Sequence, residues 1–228
     1  MMNIRIKIDH LDKGTEEQTC QVKSVYVVGY GGRDQEKVQE HIHELAEIGV
    51  APPPTVPTIY PHPVTALTFE EVITVTGKQT SGEAEYVLMH NGTEWLVTVG
   101  SDHTDRHLEK EDIQKSKETC PKPLSNTFWR LQDVEQHWDQ LILRCWVTDA
   151  AGRRLYQDHN LTALLPVKDL LEKLAGFGYH DLADTVIFSG TVPTLEGFVY
   201  GDKFEMELYD PILLRSLSSS YSVVIQEG

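Results

Sequence analysis

The segment GEAEYVLMHNGTEWLVTVG, residues 82–100, constrains this chain more than any other stretch. Its two apolar runs flank Asn91-Gly92, a pair that enters the left-handed backbone of tight hairpin turns at low cost. Two antiparallel strands are therefore expected here. A strand sends alternate side chains to one face, which sets Glu83 and Glu85 side by side. Asp102 follows the second strand directly, in GSDHTDRHLE, where the chain steps off the sheet. Two glutamates alone on a strand usually mark a solvated face. With Asp102 at the neighbouring strand end they form a three-carboxylate set. Hard oxygen donors without cysteine suit Mg²⁺, Mn²⁺ or Ca²⁺ better than zinc. Such a site leaves positions open for water or substrate oxygens and can polarise a carbonyl.

Around this hairpin the pattern is mainly β. Residues 3–9 and 22–28 read as strands, and the second breaks at Gly29-Tyr30-Gly31-Gly32. DQEKVQEHIHELAEIG predicts a helix, with Val38, Ile42, Leu45 and Ile48 on one stripe and Gly49 as its stop. The following APPPTVPTIYPHP reads either as a linker or as polyproline-like backbone packed against a sheet. EVITVTG reads as a strand, residues around 101–117 as a short helix, and LILRCWVTDAAGRRLYQ as strands turning near Ala151-Gly152. PVKDLLEKLAG predicts a helix over 166–176, and the chain closes in β-structure. At 228 residues and 40% hydrophobic content the chain can bury a core of its own. We expect one domain over 1–228, α+β and mainly β, with strands of residues 1–24 packed on it.

Charge and cysteine usage narrow the function classes. A formal charge of −15 and the lack of a basic stripe argue against nucleic-acid binding. Cys20, Cys120 and Cys145 form no CxxC pair, so neither a disulfide scaffold nor a thiolate zinc site is expected. Neither a signal-peptide core nor a membrane-length apolar run occurs, which gives an expectation of a soluble cytoplasmic protein. Several motifs compete with the carboxylates. On a helix, His103 and His107 would share one face and could hold zinc with Asp102 or Asp105. His41 and His43 point to different helix faces, but His41 with Glu44, and His43 with Glu47, each pair an imidazole with a carboxylate. GYGGRD lacks the last glycine of a dinucleotide fingerprint, and Ser189 lacks the glycine spacing of a nucleophile elbow.

Taken in order, these segments resemble the fumarylacetoacetate hydrolase superfamily, in one of its uncharacterised branches. VYVVGYGGRDQEKVQEHIHELAEIG is similar to the family's opening strand, glycine turn and histidine-bearing helix, and GEAEYVL to its ExE metal motif. SDHTDRHLE is similar to the segment in which an aspartate ligand precedes an arginine by four residues, here Asp102 and Arg106. KSKETCPKPL resembles the stretch with the active-site lysine, best matched by Lys115. VIFSGTVPTLEGFVYGDKFEMEL resembles the closing strands and puts Gly190 and Thr191 near substrate. The chain departs from the family pattern at His107 and Glu109, where Asp and Gln are usual, and at His62, where a lysine is common.

The resemblance implies a mixed β-roll with a few inserted helices, a homodimer, and Mg²⁺ or Mn²⁺ on Glu83, Glu85 and Asp102. It implies a small carboxylate substrate, a 2-oxo acid or 1,3-dicarbonyl, cleaved hydrolytically at a carbon–carbon bond through a metal-stabilised enolate. Hydration, tautomerisation or decarboxylation at the same site, or a non-catalytic binding protein, are the alternatives. His43 with Glu47, or His41 with Glu44, would activate water. Lys115 would stabilise the developing oxyanion, with Arg106 and Glu109 toward the substrate. The apolar tail PILLRSLSSSYSVVIQ adds to the expectation of a dimer.

Overall fold

The computed structural model describes residues 1–47 and 52–226, with the side chains of His41 and Leu45 also left out. Strand β1 (Met2–His10) buries Ile4, Ile6 and Ile8 and exposes Asn3, Arg5 and Lys7, the alternation its sequence carries. It pairs antiparallel with β2 (Gly14–Val22) from end to end, Met2 opposite Val22 and His10 opposite Gly14. Sequence reading missed β2, because GTEEQTCQV buries only Cys20 and Val22 and shows no apolar alternation. Next come β3 (Ser24–Gly29) and helix α1 (Gln35–Glu47), which buries Val38 and Ile42 of the expected stripe. Ile48 and the expected stop Gly49 lie outside the described residues.

The second half of the proline-rich segment is packed backbone. Its residues Thr58–His62 form β4, antiparallel to β3, with Pro61 opposite Tyr26. β4 is the outermost strand of its sheet, the position where a residue without an N–H does least harm. Two-residue β5 (Leu67–Thr68), strand β6 (Val72–Val75) and two-residue β7 (Thr80–Ser81) lead to the central hairpin, β8 (Ala84–His90) and β9 (Trp95–Ser101). Its loop is held by Asn91, whose Oδ1 accepts from the amides of Thr93 and Glu94, and Gly92 takes φ +93°.

A single helix over 101–117 does not form. Two-residue β10 (Thr104–Asp105) and a 3₁₀ turn at Leu108–Lys110 precede a short α2 (Ile113–Glu118), capped by Asp112. Then follow two-residue β11 (Lys122–Pro123), β12 (Thr127–Arg130), β13 (Ile142–Asp149) and β14 (Gly152–Asn160). Helix α3 (Val167–Gly176), β15 (Thr185–Phe188), β16 (Lys203–Asp210) and β17 (Arg215–Ile225) complete the described chain.

Two mixed sheets result, an eight-stranded one in the order β2-β1-β12-β9-β8-β15-β3-β4 and a five-stranded one in the order β14-β13-β16-β17-β6. Strand β8 shows how they share the interior. Tyr86 and Leu88 enter a core built with Leu143, Val147, Phe204 and Met206 of the five-stranded sheet. Val87 and Met89, on the other face, enter a second core with Ile6, Val27, Phe128 and Val186. The architecture is the mainly β, α+β fold expected. All three cysteines are buried free thiols. Among the described residues no helix is long and apolar enough to cross a membrane.

Candidate active site

The hairpin β8–β9 delivers the carboxylates. Ala84 pairs with Ser101 across it, so Glu83 and Asp102 sit just beyond the paired ends, and the Asp102 amide donates to Glu83 O at 3.1 Å. Glu85 points away from the Ala84 and Tyr86 side and is 2% exposed. From the next strand, β15, the chain runs into Ser189 and Gly190, and the Gly190 amide donates to Glu85 Oε2 at 3.0 Å. Gly190 takes φ +88°, and a Cβ there would meet Val28 O at 3.3 Å, so the turn requires glycine. Thr191 ties the same corner, its hydroxyl donating to Ala84 O at 2.8 Å. Gln157 of β14 completes it, accepting from the Ala84 amide at 2.8 Å and donating to Thr191 Oγ1 at 2.6 Å. Gly190 and Thr191, singled out in sequence, thus stand beside the ExE strand.

Three buried cations neutralise this acidic end. Asp102, 1% exposed, pairs through Oδ2 with Lys117 Nζ and lies with Oδ1 3.0 Å from Lys122 Nζ. Lys122 also donates to His103 O at 2.7 Å and to Lys117 O at 2.5 Å. Burial pushes the Asp102 carboxyl up, yet the two lysines outweigh it and hold the group well below the usual carboxylate range. Among the described residues Glu85 has no such ion-pair partner: burial first, then the Asp102 charge, raise its pKa well above the ordinary value. Lys117 stays above its usual range despite burial, because Asp102, Glu109 and Glu83 surround it with negative charge. Arg106 forms the third buried centre. Its Nε donates to Ser81 Oγ at 2.7 Å and its Nη1 to both Glu109 oxygens at 3.0 and 2.9 Å. Its Nη2 lies 2.9 Å from Glu83 Oε2 as an ion pair out of hydrogen-bond alignment.

The lysine that the fold brings to the carboxylates is Lys117, not Lys115. Lys115 is exposed on α2, whereas Lys117 is buried on the carboxylates. Two positions on a helix differ by about 200°, so one lysine faces in and the other out. The signal was in the sequence: Ile113, Ser116, Lys117 and Cys120 recur at three- and four-residue steps, and Lys117 sits on that inner stripe. On α1, His43, Glu44 and Glu47 are exposed, and the side chain of His41 lies outside the described residues. The paired-histidine zinc reading also fails, because residues 103–107 are not helical. His103 is buried, with Nδ1 3.0 Å from Tyr221 OH, while His107 is exposed.

The structure adds Tyr30 and Tyr60 to the site, and gives His62, named in sequence only as a departure from the family pattern, a place in it. His62 of β4 is buried, its Nδ1 3.0 Å from Tyr60 O and its Nε2 without a hydrogen bond. Burial, and then the charge of Lys122, lower its pKa and favour the neutral ring. Tyr60 lies under Lys117, whose Nζ is 5.9 Å from the ring centroid. Tyr30 takes φ +58° at the end of β3, a conformation costly for a bulky side chain, and its phenol feels the charges of Glu109 and Lys117.

As the side chains stand, no set of three His, Cys, Asp or Glu donors among the described residues is gathered closely enough to hold a metal ion. Arg106 on Glu83 and Lys117 on Asp102 occupy the neutralising places. The donor chemistry nevertheless fits a hard divalent cation. Glu83, Glu85 and Asp102 are all carboxylates, Glu85 bears the like charge of Asp102 and Glu83, and Asp102 Oδ1 is buried without a hydrogen bond.

The architecture is the fumarylacetoacetate-hydrolase fold. A yeast fumarylacetoacetate hydrolase family protein, ynq8, is 15% identical with a TM-score of 0.59, over 91% of this chain and 95% of that one. A 2-keto-3-deoxy-D-arabinonate dehydratase complexed with magnesium and 2,5-dioxopentanoate is 13% identical, TM-score 0.60, over 94% and 78%. Maleylpyruvate hydrolase from Sphingobium sp. SYK-6, in complex with manganese(II) ion and pyruvate, is 15% identical, TM-score 0.55, over 93% and 75%. No curated protein matches the sequence. Residues 28–221 match the family model described as "Protein of unknown function (DUF2848)", and the chain belongs to that family.

Proposed function

We propose that this chain is a divalent-metal-dependent enzyme acting on a small 2-oxo acid or 1,3-dicarbonyl, and that it hydrolyses a carbon–carbon bond. One observation carries the reading: Glu83, Glu85 and Asp102 stand at the same end of the β8–β9 hairpin, and among the described residues no cationic side chain is bonded to the buried Glu85. Glu83, Glu85 and Asp102 would hold Mg²⁺ or Mn²⁺, in competition with Arg106 for Glu83 and Lys117 for Asp102. When bound, the cation supplies a Lewis acid that polarises a carbonyl. Relatives in fold whose structures contain magnesium or manganese with an oxo-acid or dicarbonyl compound support this choice of metal and substrate class.

The remaining roles fall to the chain's own groups. Lys117 presents a permanent charge toward negative charge developing on a substrate oxygen, the role expected of Lys115 from sequence. Gly190 and Thr191 fix the corner against which substrate rests, and Arg106 with Glu109 closes one side. For the base that takes a proton from water, the sequence offers His43 with Glu47 or His41 with Glu44. His62 is a further choice, because the fold buries it neutral with a free Nε2. Turnover of His62→Gln, His43→Ala and His41→Ala on one active substrate ranks them, since loss of the true base costs about 100-fold or more.

Hydration, tautomerisation or decarboxylation by the same groups is the second reading, favoured by a dehydratase among the relatives in fold. Assaying 2-oxo acids and acylpyruvates with Mg²⁺ or Mn²⁺ decides between them. Two carboxylic-acid fragments mean hydrolysis, while release of CO₂, addition or loss of water, or keto–enol interconversion without a change of mass means the alternative. No turnover of any 2-oxo acid or acylpyruvate by the metal-loaded protein contradicts both. A homodimer is part of the proposal. Leu217 and Tyr221 of the tail are buried in the chain's own core, but Ile212, Leu213 and Leu214 are exposed at the turn before β17 and offer a surface to a second copy. Sedimentation at micromolar concentration should give twice the chain mass.

A further inference from the structure

Arg106 is a buried cation beside Glu83, and its protein partners hold most of its guanidinium. The guanidinium is buried, with Ser81, Glu109 and Glu83 round its edge, and Glu109 grips Nη1 with both oxygens. One face is covered by the Phe198 ring, whose centroid is 4.0 Å from Cζ. Recognition of a carboxylate by arginine needs two free N–H groups in one plane, and here Nε is bonded to Ser81 and Nη1 to Glu109, with Glu83 against Nη2. An arriving anion would instead meet Glu109, which keeps part of its side chain in solvent.

The same place offers apolar surface. Phe198 is 53% exposed even though it stacks on Arg106, and the loop joining β15 to β16 also exposes Leu195 at 59% and Tyr200 at 47%. An aromatic ring with one face on a buried arginine and the rest of its surface open is half of a binding contact.

We infer that Glu109 and Phe198 form a distal subsite that selects a 2-oxo acid with an uncharged, apolar end and rejects dicarboxylates. Glu109 excludes the second carboxylate by repulsion and by keeping Arg106 occupied, and Phe198 packs against the alkyl or aryl tail. The inference rests on the function proposed above and adds to it the class of substrate tail.

Calorimetric titration of the Mg²⁺-supplemented protein with pyruvate, 2-oxohexanoate and 2-oxoadipate tests it without requiring turnover. The last two probes share a six-carbon chain and differ in a terminal methyl or carboxylate. Wild type should bind 2-oxohexanoate about tenfold more tightly than 2-oxoadipate, the scale of a like charge set against a buried group. Glu109→Gln should shrink that gap severalfold by tightening 2-oxoadipate, and Phe198→Ala should shrink it by weakening 2-oxohexanoate about fivefold, the loss of one aromatic contact. Pyruvate bound but 2-oxoadipate equal to or tighter than 2-oxohexanoate overturns the subsite alone, as does a gap unchanged in both variants. Failure of pyruvate and both longer acids to bind overturns the proposed function and the subsite with it.

Discussion

A lysine with its ammonium out of water persists only where carboxylates compensate it, and Lys117 meets that condition through Asp102. Removing one partner of a buried pair strands the other, so Lys117→Ala should lose about 3 kcal/mol of unfolding free energy in urea titrations. Lys115→Ala, on the exposed face of the same helix, should stay within about 0.5 kcal/mol of wild type. Equal effects would mean that the inner and outer faces of α2 are wrongly assigned. His62 gives a pH signature. Burial lowers its pKa in the folded chain, while the unfolded chain takes up a proton near pH 6.5. Just below that pH the unfolded state binds more protons, so stability rises with pH through this window and falls as the solution is acidified. His62→Gln removes the contribution. Its stability relative to wild type should therefore improve between pH 7.5 and pH 5, by up to about 1.4 kcal/mol per pH unit across the window. A constant difference would show that His62 is not held neutral.

At the scale of elements, strands with both faces covered or with clean alternation were legible, and strands made by pairing alone were not. β1 and the β8–β9 hairpin announce themselves through apolar residues, whereas β2 exists because β1 supplies a full ladder of partners. The region after Asp102 was read as one helix, but Asp105 turns the chain early. Its Oδ1 accepts from the amides of His107 and Leu108. That turn separates Arg106 from α2 and lets the two cations approach different carboxylates. The corner after β15 carries its own test. Gly190→Ala forces a Cβ into positive φ close to Val28 O and should cost about 1–3 kcal/mol in denaturant unfolding. A neutral result would mean that the corner relaxes freely and does not fix Glu85.

Across the whole molecule, the three carboxylates were legible because each stands at a strand end in a recognisable hairpin, and the resemblance to one family ordered them. The partners that hold them were less so. Lys117, Lys122 and His62 come from a six-residue helix, a two-residue strand and a five-residue edge strand, elements whose burial arises only when both sheets are assembled. The helix α1, which carries the histidines favoured from sequence, shows His43 and Glu47 in solvent, while His62 and His103, buried near the carboxylates, lie on and beside the sheets. The central claim is that Glu83, Glu85 and Asp102 jointly bind a divalent cation, and calorimetric titration with Mn²⁺ examines it most directly. Wild type should take up one Mn²⁺ per chain, with affinity reduced about 100-fold or more in Glu85→Gln and in Asp102→Asn, as loss of a ligand demands. Absence of Mn²⁺ uptake by wild type, or unchanged affinity in Glu85→Gln, would contradict it.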